Sequence, residues 1–219
     1  DGVFPADWVR VSPQCNYDSY KTTVECTLVA NLPDILTESE SDVMLPPQLL
    51  AKWSKEGRLD KEVAELNVFF AKYNLPKAPK YYIMKWLSDY IRKYGIDGYR
   101  VDTVKHTEED VWKKFAEICQ DAFAEYKANH PTKILDQNNF YLIGEVYNYT
   151  INDAQEFPFP DKKVNYFENG FDALINFDLR STQKETSQQV FNRYNDILQN
   201  EMKGKSVLNY ITSHDDGSP

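Results

Sequence analysis

No apolar run in this chain approaches the length of a membrane-crossing helix, so no span is predicted. Excess positive charge is missing too: 34 acidic residues against 25 Lys and Arg leave a net charge of −9. Phosphate contacts need a basic face, so neither a nucleic acid nor an anionic membrane surface is an expected partner. There is no internal repeat and no low-complexity tract. Cysteine is limited to three residues. Cys119 falls on the apolar side of a helical pattern and reads as an inert buried thiol. Cys15 and Cys26 lie close together in polar, loop-like sequence. A disulfide there would imply an oxidising compartment, and two free thiols fit the composition equally well. What is present is a hydrophobic content of 42%, enough for a sizeable core, and 14% aromatic residues rich in tyrosine. The length fits one domain or part of a larger one. Most rings read as core with amphipathic edges; sugar stacking would need rings placed near acids.

The pattern along the chain changes several times. Residues 1–42 are rich in Pro, Asp, Asn, Ser and Thr, with β-like pieces such as Thr22–Val29. From Leu50 to Tyr73 the pattern is helical, with Val63, Leu66, Phe69 and Phe70 on one side. A second helix follows Pro79, with Ile83, Leu87, Tyr90, Ile91 and Tyr94 on its apolar face and Gly95 as its C-terminal cap. Gly98–Val101 is a short strand. Thr107-Glu108-Glu109-Asp110 reads as a helix start with a hydroxyl cap and acids in the first turn. That helix carries Val111, Phe115, Ile118, Cys119, Ala122 and Tyr126 on one face and stops at Asn129-His130-Pro131, where His130 reads as structural. Strand Phe140–Val146, a long polar loop, strand Ala173–Phe177, a helix with Val190, Tyr194, Ile197 and Leu198 inward, and strand Val207–Ile211 complete the series. Alternating strands and helices predict an α/β fold with a parallel sheet and helical crossovers.

Three of these strands end in acids. Gly98–Val101 runs into Asp102 and then Lys105-His106; Phe140–Ile143 runs into Gly144-Glu145; Val207–Ile211 runs into His214-Asp215-Asp216. Carboxylates gathered at the carboxyl ends of parallel strands are how a barrel enzyme builds a sugar-cleaving site. Retaining cleavage of a glycosidic bond needs one ionised carboxylate as nucleophile and one carboxylic acid to protonate the leaving oxygen. Arg100 lies two residues before Asp102 on the same strand face, where it can pair with Asp102 and fix its orientation. Glu145 follows an almost wholly apolar strand, a placement that suits a partly desolvated acid. Asp215, beside His214, supplies a third carboxylate.

The segment from Gly98-Tyr99-Arg100-Val101-Asp102 to Lys105-His106 resembles the nucleophile strand of the α-amylase family, glycoside hydrolase family 13. Gly144-Glu145-Val146 resembles the acid/base strand of that family, and Ser213-His214-Asp215 its transition-state-stabilising segment. Asn31-Leu32-Pro33-Asp34-Ile35 resembles the short motif of the loop domain that protrudes after the third barrel strand. The four segments occur in family order and cover nearly the whole chain. The resemblance implies a partial (β/α)8 TIM barrel, about strands 4–7 with their helices, over residues 46–219. Part of an irregular loop domain, domain B, would precede it over residues 1–45.

It further implies that Asp102 is the nucleophile, Glu145 the general acid/base, and Asp215 the residue that distorts and hydrogen-bonds the reacting sugar. Arg100 would position Asp102, His214 would contact the same sugar, and Lys105 and His106 the sugars on the leaving-group side. A structural calcium is implied between loop domain and barrel, held by Asp34, the carbonyl of His106 and a carbonyl near Glu25. Cys15 and Cys26 fall where some members have a disulfide, which points to a periplasmic or secreted location. The implied reaction is retaining hydrolysis of α-1,4-glucosidic bonds in starch and maltooligosaccharides. The alternatives are an α-glucan transglycosylase of the same family and a non-catalytic glucan-binding relative. The first-, third- and eighth-strand segments of the family have no counterpart here. The sequence is therefore expected to be an internal piece of a longer protein, with the remaining parts of its own barrel as partners.

Overall fold

The structure is a computed structural model, and it describes residues 5–29, 32–182 and 184–215. Asn31 of the Leu-Pro-Asp motif and Asp216 of the His-Asp-Asp run lie outside these. Four strands form one parallel sheet: β3 (Gly98–Val101), β4 (Tyr141–Gly144), β7 (Ala173–Asn176) and β8 (Ser206–Asn209), in the spatial order β3-β4-β7-β8. Helix α5 (Glu109–Asn129) links β3 to β4 and helix α6 (Ser187–Gln199) links β7 to β8. Each strand pairs with the next in the sequence, the order of a singly wound sheet in which every crossover advances one place. The pairing sets Gly98 against Tyr141 and Val101 against Gly144, so β3 and β4 end level with one another. The long connection from β4 to β7 contains a small antiparallel pair, β5 (Phe157–Pro158) with β6 (Lys163–Val164).

Helix α4 (Pro79–Tyr94) packs on α5. Their meeting faces bury Ile91, Ile118, Cys119 and Ala122 completely. Phe140 and Leu142 enter the same core from the sheet. Tyr99 of β3 stacks on Phe115 of α5 and meets Phe140 edge-on. Gly95 ends α4 in the left-handed region with φ of 66°, the conformation for which a glycine cap is suited.

The N-terminal segment is tied to this core rather than set apart from it. Strands β1 (Val9–Arg10) and β2 (Asp34–Ile35) pair antiparallel, with Val9 opposite Ile35 and Arg10 opposite Asp34. Trp8 is buried, donates from Nε1 to the Met44 carbonyl at 2.8 Å and stacks near Trp86 and Tyr82 of α4. A disulfide joins Cys15 to Cys26.

Three local expectations are corrected. The β-like reading of Thr22–Val29 gives way to a short helix, α1 (Tyr20–Val24). A reciprocal capping box between Ser19 and Thr22 satisfies the free backbone donors and outweighs the strand preference of the β-branched run. The helical pattern from Leu50 to Tyr73 is two helices, α2 (Pro47–Lys55) and α3 (Leu59–Tyr73), because Gly57 turns with φ of 69° between them. Helix α5 starts one residue later than the Thr107 cap predicts. Glu108 holds the cap position without a side-chain bond, and Asp110 bonds its neighbour's amide instead.

Candidate active site

Asp102 and Glu145 each follow the last residue of a strand, and β3 and β4 are direct neighbours. Two backbone bonds carry this pairing past the strand ends: Glu145 N donates to the Val101 carbonyl at 2.8 Å, and Val104 N donates to the Glu145 carbonyl at 2.9 Å. Between them the chain turns at Thr103, whose φ of 47° is a left-handed conformation that a β-branched residue rarely adopts. The turn aims the Thr103 N–H at the Glu145 side chain, and that amide donates to Oε2 at 2.8 Å. One peptide unit therefore both ends the Asp102 strand and holds the Glu145 carboxyl.

The two carboxyl groups sit in different surroundings. Glu145 is buried at 6% exposure, whereas the Asp102 side chain is 64% exposed and pairs with Arg100. Burial pushes the Glu145 carboxyl above the ordinary glutamate range. The Thr103 amide and Arg100 oppose that shift, while the Asp102 and Asp215 charges add to it. Asp215 lies beyond β8, bonds its own backbone amide to Ser213 Oγ at 3.2 Å, and pairs with His214 Nε2 at 3.1 Å. Two solvent-open carboxylates, Asp102 and Asp215, thus lie within electrostatic reach of the enclosed Glu145.

Lys105 and His106 follow in a 3-10 turn, Val104–His106. Lys105 Nζ donates to the Tyr147 carbonyl at 3.2 Å and sits over the Tyr147 and Phe157 rings at 5.2 and 5.9 Å. Burial lowers its pKa, with the Glu145 charge acting against the shift. His106 faces the N-terminal segment: Nδ1 lies 3.1 Å from the Thr23 carbonyl and its ring meets Tyr17 edge-on at 5.0 Å. Its imidazole is lowered by burial. Thr103 and Tyr147 were not picked out from sequence. Tyr147 is half exposed two residues beyond Glu145, with Arg180 above its ring at 5.5 Å and Phe177 at its edge. An aromatic beside a strand-end acid was the available signal.

No family model matches the chain. Over 218 residues it is 30% identical to the periplasmic α-amylase of Escherichia coli K12, a match that takes in 95% of this chain and 28% of that protein. Over 101 residues it is 29% identical to the α-amylase of Streptomyces lividans, covering 41% of this chain and 10% of that one. The chain is an α-amylase relative. It spans about a quarter of the curated protein it matches along nearly its whole length. Among solved structures, the α-amylase of Geobacillus thermoleovorans complexed with acarbose aligns with TM-score 0.49 and 15% identity, over 93% of this chain and 43% of that one.

In this α-amylase relative the residues expected to hold calcium do not face an open cage. Asp34 and His106 line a cleft of about 150 Å³ with Cys26, Leu28, Leu32, Pro33, Thr103 and Thr107, and Asp34 is the only carboxylate among them. The Glu25 carbonyl and one Asp34 oxygen are already engaged by Arg10, at 2.7 and 2.9 Å. Among the described residues no group of three His, Cys, Asp or Glu side chains is arranged to hold a metal. The donor set does not fit a calcium ion that would use Asp34 and Glu25 together.

Proposed function

We propose that this chain supplies the catalytic carboxylates of a retaining glycoside hydrolase acting on α-1,4-glucosidic bonds in starch-type glucans and maltooligosaccharides. The observation that carries the proposal is Glu145. It is the one buried member of a three-carboxylate group, its pKa is raised, and its neighbour across the strand pair is the exposed Asp102. A buried acid that keeps its proton and an exposed carboxylate that does not need one are the two roles such a reaction divides.

In the proposed mechanism Asp102 attacks the anomeric carbon. The glycosidic bond breaks, and its electron pair goes to the leaving oxygen, which takes the Glu145 proton. Water then attacks the glycosyl ester, giving its proton back to Glu145 and releasing Asp102. Arg100 orients Asp102 in both steps. Asp215 and His214 hold the hydroxyls of the reacting sugar, and Lys105 with the half-exposed Tyr147 ring receives the sugar on the leaving side. The parallel, singly wound order of the sheet supports a barrel with this site at the carboxyl ends of its strands. The disulfide and the periplasmic relative support an exported protein.

The reading is tested with maltoheptaose as substrate. Asp102→Asn and Glu145→Gln in the intact protein are each expected to lower kcat by at least about a hundred- to ten-thousandfold. Near-wild-type turnover in either variant overturns the assignment. Products longer than the substrate would identify transfer to a sugar acceptor instead of water, and glucan binding with no reducing-end release would identify a binding protein.

A further inference from the structure

Arg10 is the most fully engaged cation among the described residues, and neither the family resemblance nor the proposed reaction gives it a role. Its side chain is 9% exposed. Nε donates to Asp34 Oδ2 at 2.9 Å, Nη1 to the Glu25 carbonyl at 2.7 Å and to Glu38 Oε1 at 2.9 Å, and Nη2 to Glu38 Oε2 at 2.8 Å and to the Ile35 carbonyl at 3.5 Å. A guanidinium has five N–H donors, and all five have an oxygen. The acceptors are two carboxylates and two backbone carbonyls, the oxygen types a calcium ion selects. An ion ligated by both Asp34 Oδ2 and the Glu25 carbonyl, at calcium's usual 2.3–2.6 Å or so, would meet the guanidinium that already lies against both.

We propose that the Arg10 guanidinium is the resident cation at the junction of β1, β2 and α1, and that this junction holds without bound calcium. The fixed charge pairs with both Asp34 and Glu38 and ties the carbonyl at the C-terminal end of α1 to the β1–β2 pair. The tie reaches the candidate active site. Thr23 of α1 offers its carbonyl to His106, and His106 ends the turn that follows Asp102. Arg10 thus steadies the β3 exit through α1, a connection that a metal ion would otherwise supply. The inference rests on the geometry around Arg10 and holds whether or not the hydrolase reading does.

The test is metal content and melting temperature of the intact protein, stripped with EDTA and then returned to 1 mM calcium chloride. The wild type is expected to retain no calcium dependent on Asp34 and to shift in Tm by less than about 1 °C between the two conditions. Arg10→Ala leaves the oxygens without their cation. Its Tm in EDTA is expected to fall, and 1 mM calcium to raise it by about 3–6 °C, as a site of moderate affinity would. Arg10→Lys keeps a charge at the junction and guards against a simple folding failure; it is expected to melt between the other two in EDTA. One calcium per wild-type chain that is lost in Asp34→Asn overturns the proposal. So does an Arg10→Ala protein as stable as wild type in EDTA.

Discussion

Glu145 carries two opposing requirements in one side chain. Its raised pKa means that the folded protein binds the proton more tightly than the unfolded chain does. Stability therefore falls as pH rises from the ordinary glutamate value through the raised one, and the penalty is present in full above it. Glu145→Gln removes this dependence while keeping an oxygen for the Thr103 amide. The variant is expected to melt near the wild type at about pH 4, where both states of the wild type are largely protonated. At pH 7 it is expected to melt higher, by about 2–4 °C for each kcal/mol recovered. Thermal melts across pH check this; a variant less stable than wild type at pH 7 contradicts it. Under the proposed mechanism, the same shift is expected to place the basic limb of kcat/KM above the ordinary glutamate range, because the acid must hold its proton to act.

At the scale of elements, the site depends on how closely β3 approaches β4. Gly98 opens β3 opposite Tyr141, and a Cβ built on it would stand 2.4 Å from the Tyr141 carbonyl oxygen. That neighbour is backbone and cannot swing aside. Gly98→Ala must push the two strands apart at their base and tilt Asp102 relative to Glu145. A loss of about 1–3 kcal/mol is expected from overpacking, together with reduced turnover. Chemical denaturation with a maltooligosaccharide assay measures both, and an unchanged midpoint would show that the strands have slack. A second expectation concerns α1. The Cys15–Cys26 bridge joins residues 11 positions apart, and constraint of the unfolded chain by a loop of that size contributes about 3 kcal/mol. Reduction should lower Tm and expose α1 to proteolysis before the sheet opens; a melt unaffected by reductant would place the stabilisation elsewhere.

Across the whole molecule, what could be read from sequence was what local pattern controls. Gly98–Val101 was legible to the residue because a glycine cap precedes it and charged residues follow it. The face of α5 was legible because its apolar residues recur at helical spacing. Helix α1 was not: Thr22-Thr23-Val24 favours a strand, and only the Ser19 cap reverses that preference. The break at Gly57 was hidden because apolar spacing continues across it. At the site, the carboxylates were legible as strand-end acids. The Thr103 amide was invisible, since any residue but proline carries one. Arg10 was invisible for another reason: its partner Asp34 is 24 positions away, and nothing in either neighbourhood names the other. The four-stranded sheet also leaves β3 and β8 each with one unpaired edge among the described residues. The 219-residue chain expressed alone is therefore expected to associate as concentration rises, which light scattering would detect. A sharp, concentration-independent melt of a monomer would refute this.

The turn at Thr103 has a further meaning in time. An amide donates strongly to a carboxylate and less strongly to a carboxylic acid. Under the proposed mechanism Glu145 passes from acid to carboxylate and back in every cycle, so the pull on the Thr103 peptide rises and falls with it. That peptide is bonded directly to Asp102. The covalent intermediate forms on Asp102 just as Glu145 gives up its proton, and the tightened amide then holds the turn while the ester waits for water. A single backbone hydrogen bond would thus act as a clock between the two half-reactions, and at position 103 only a substitution to proline, which has no N–H, removes its donor.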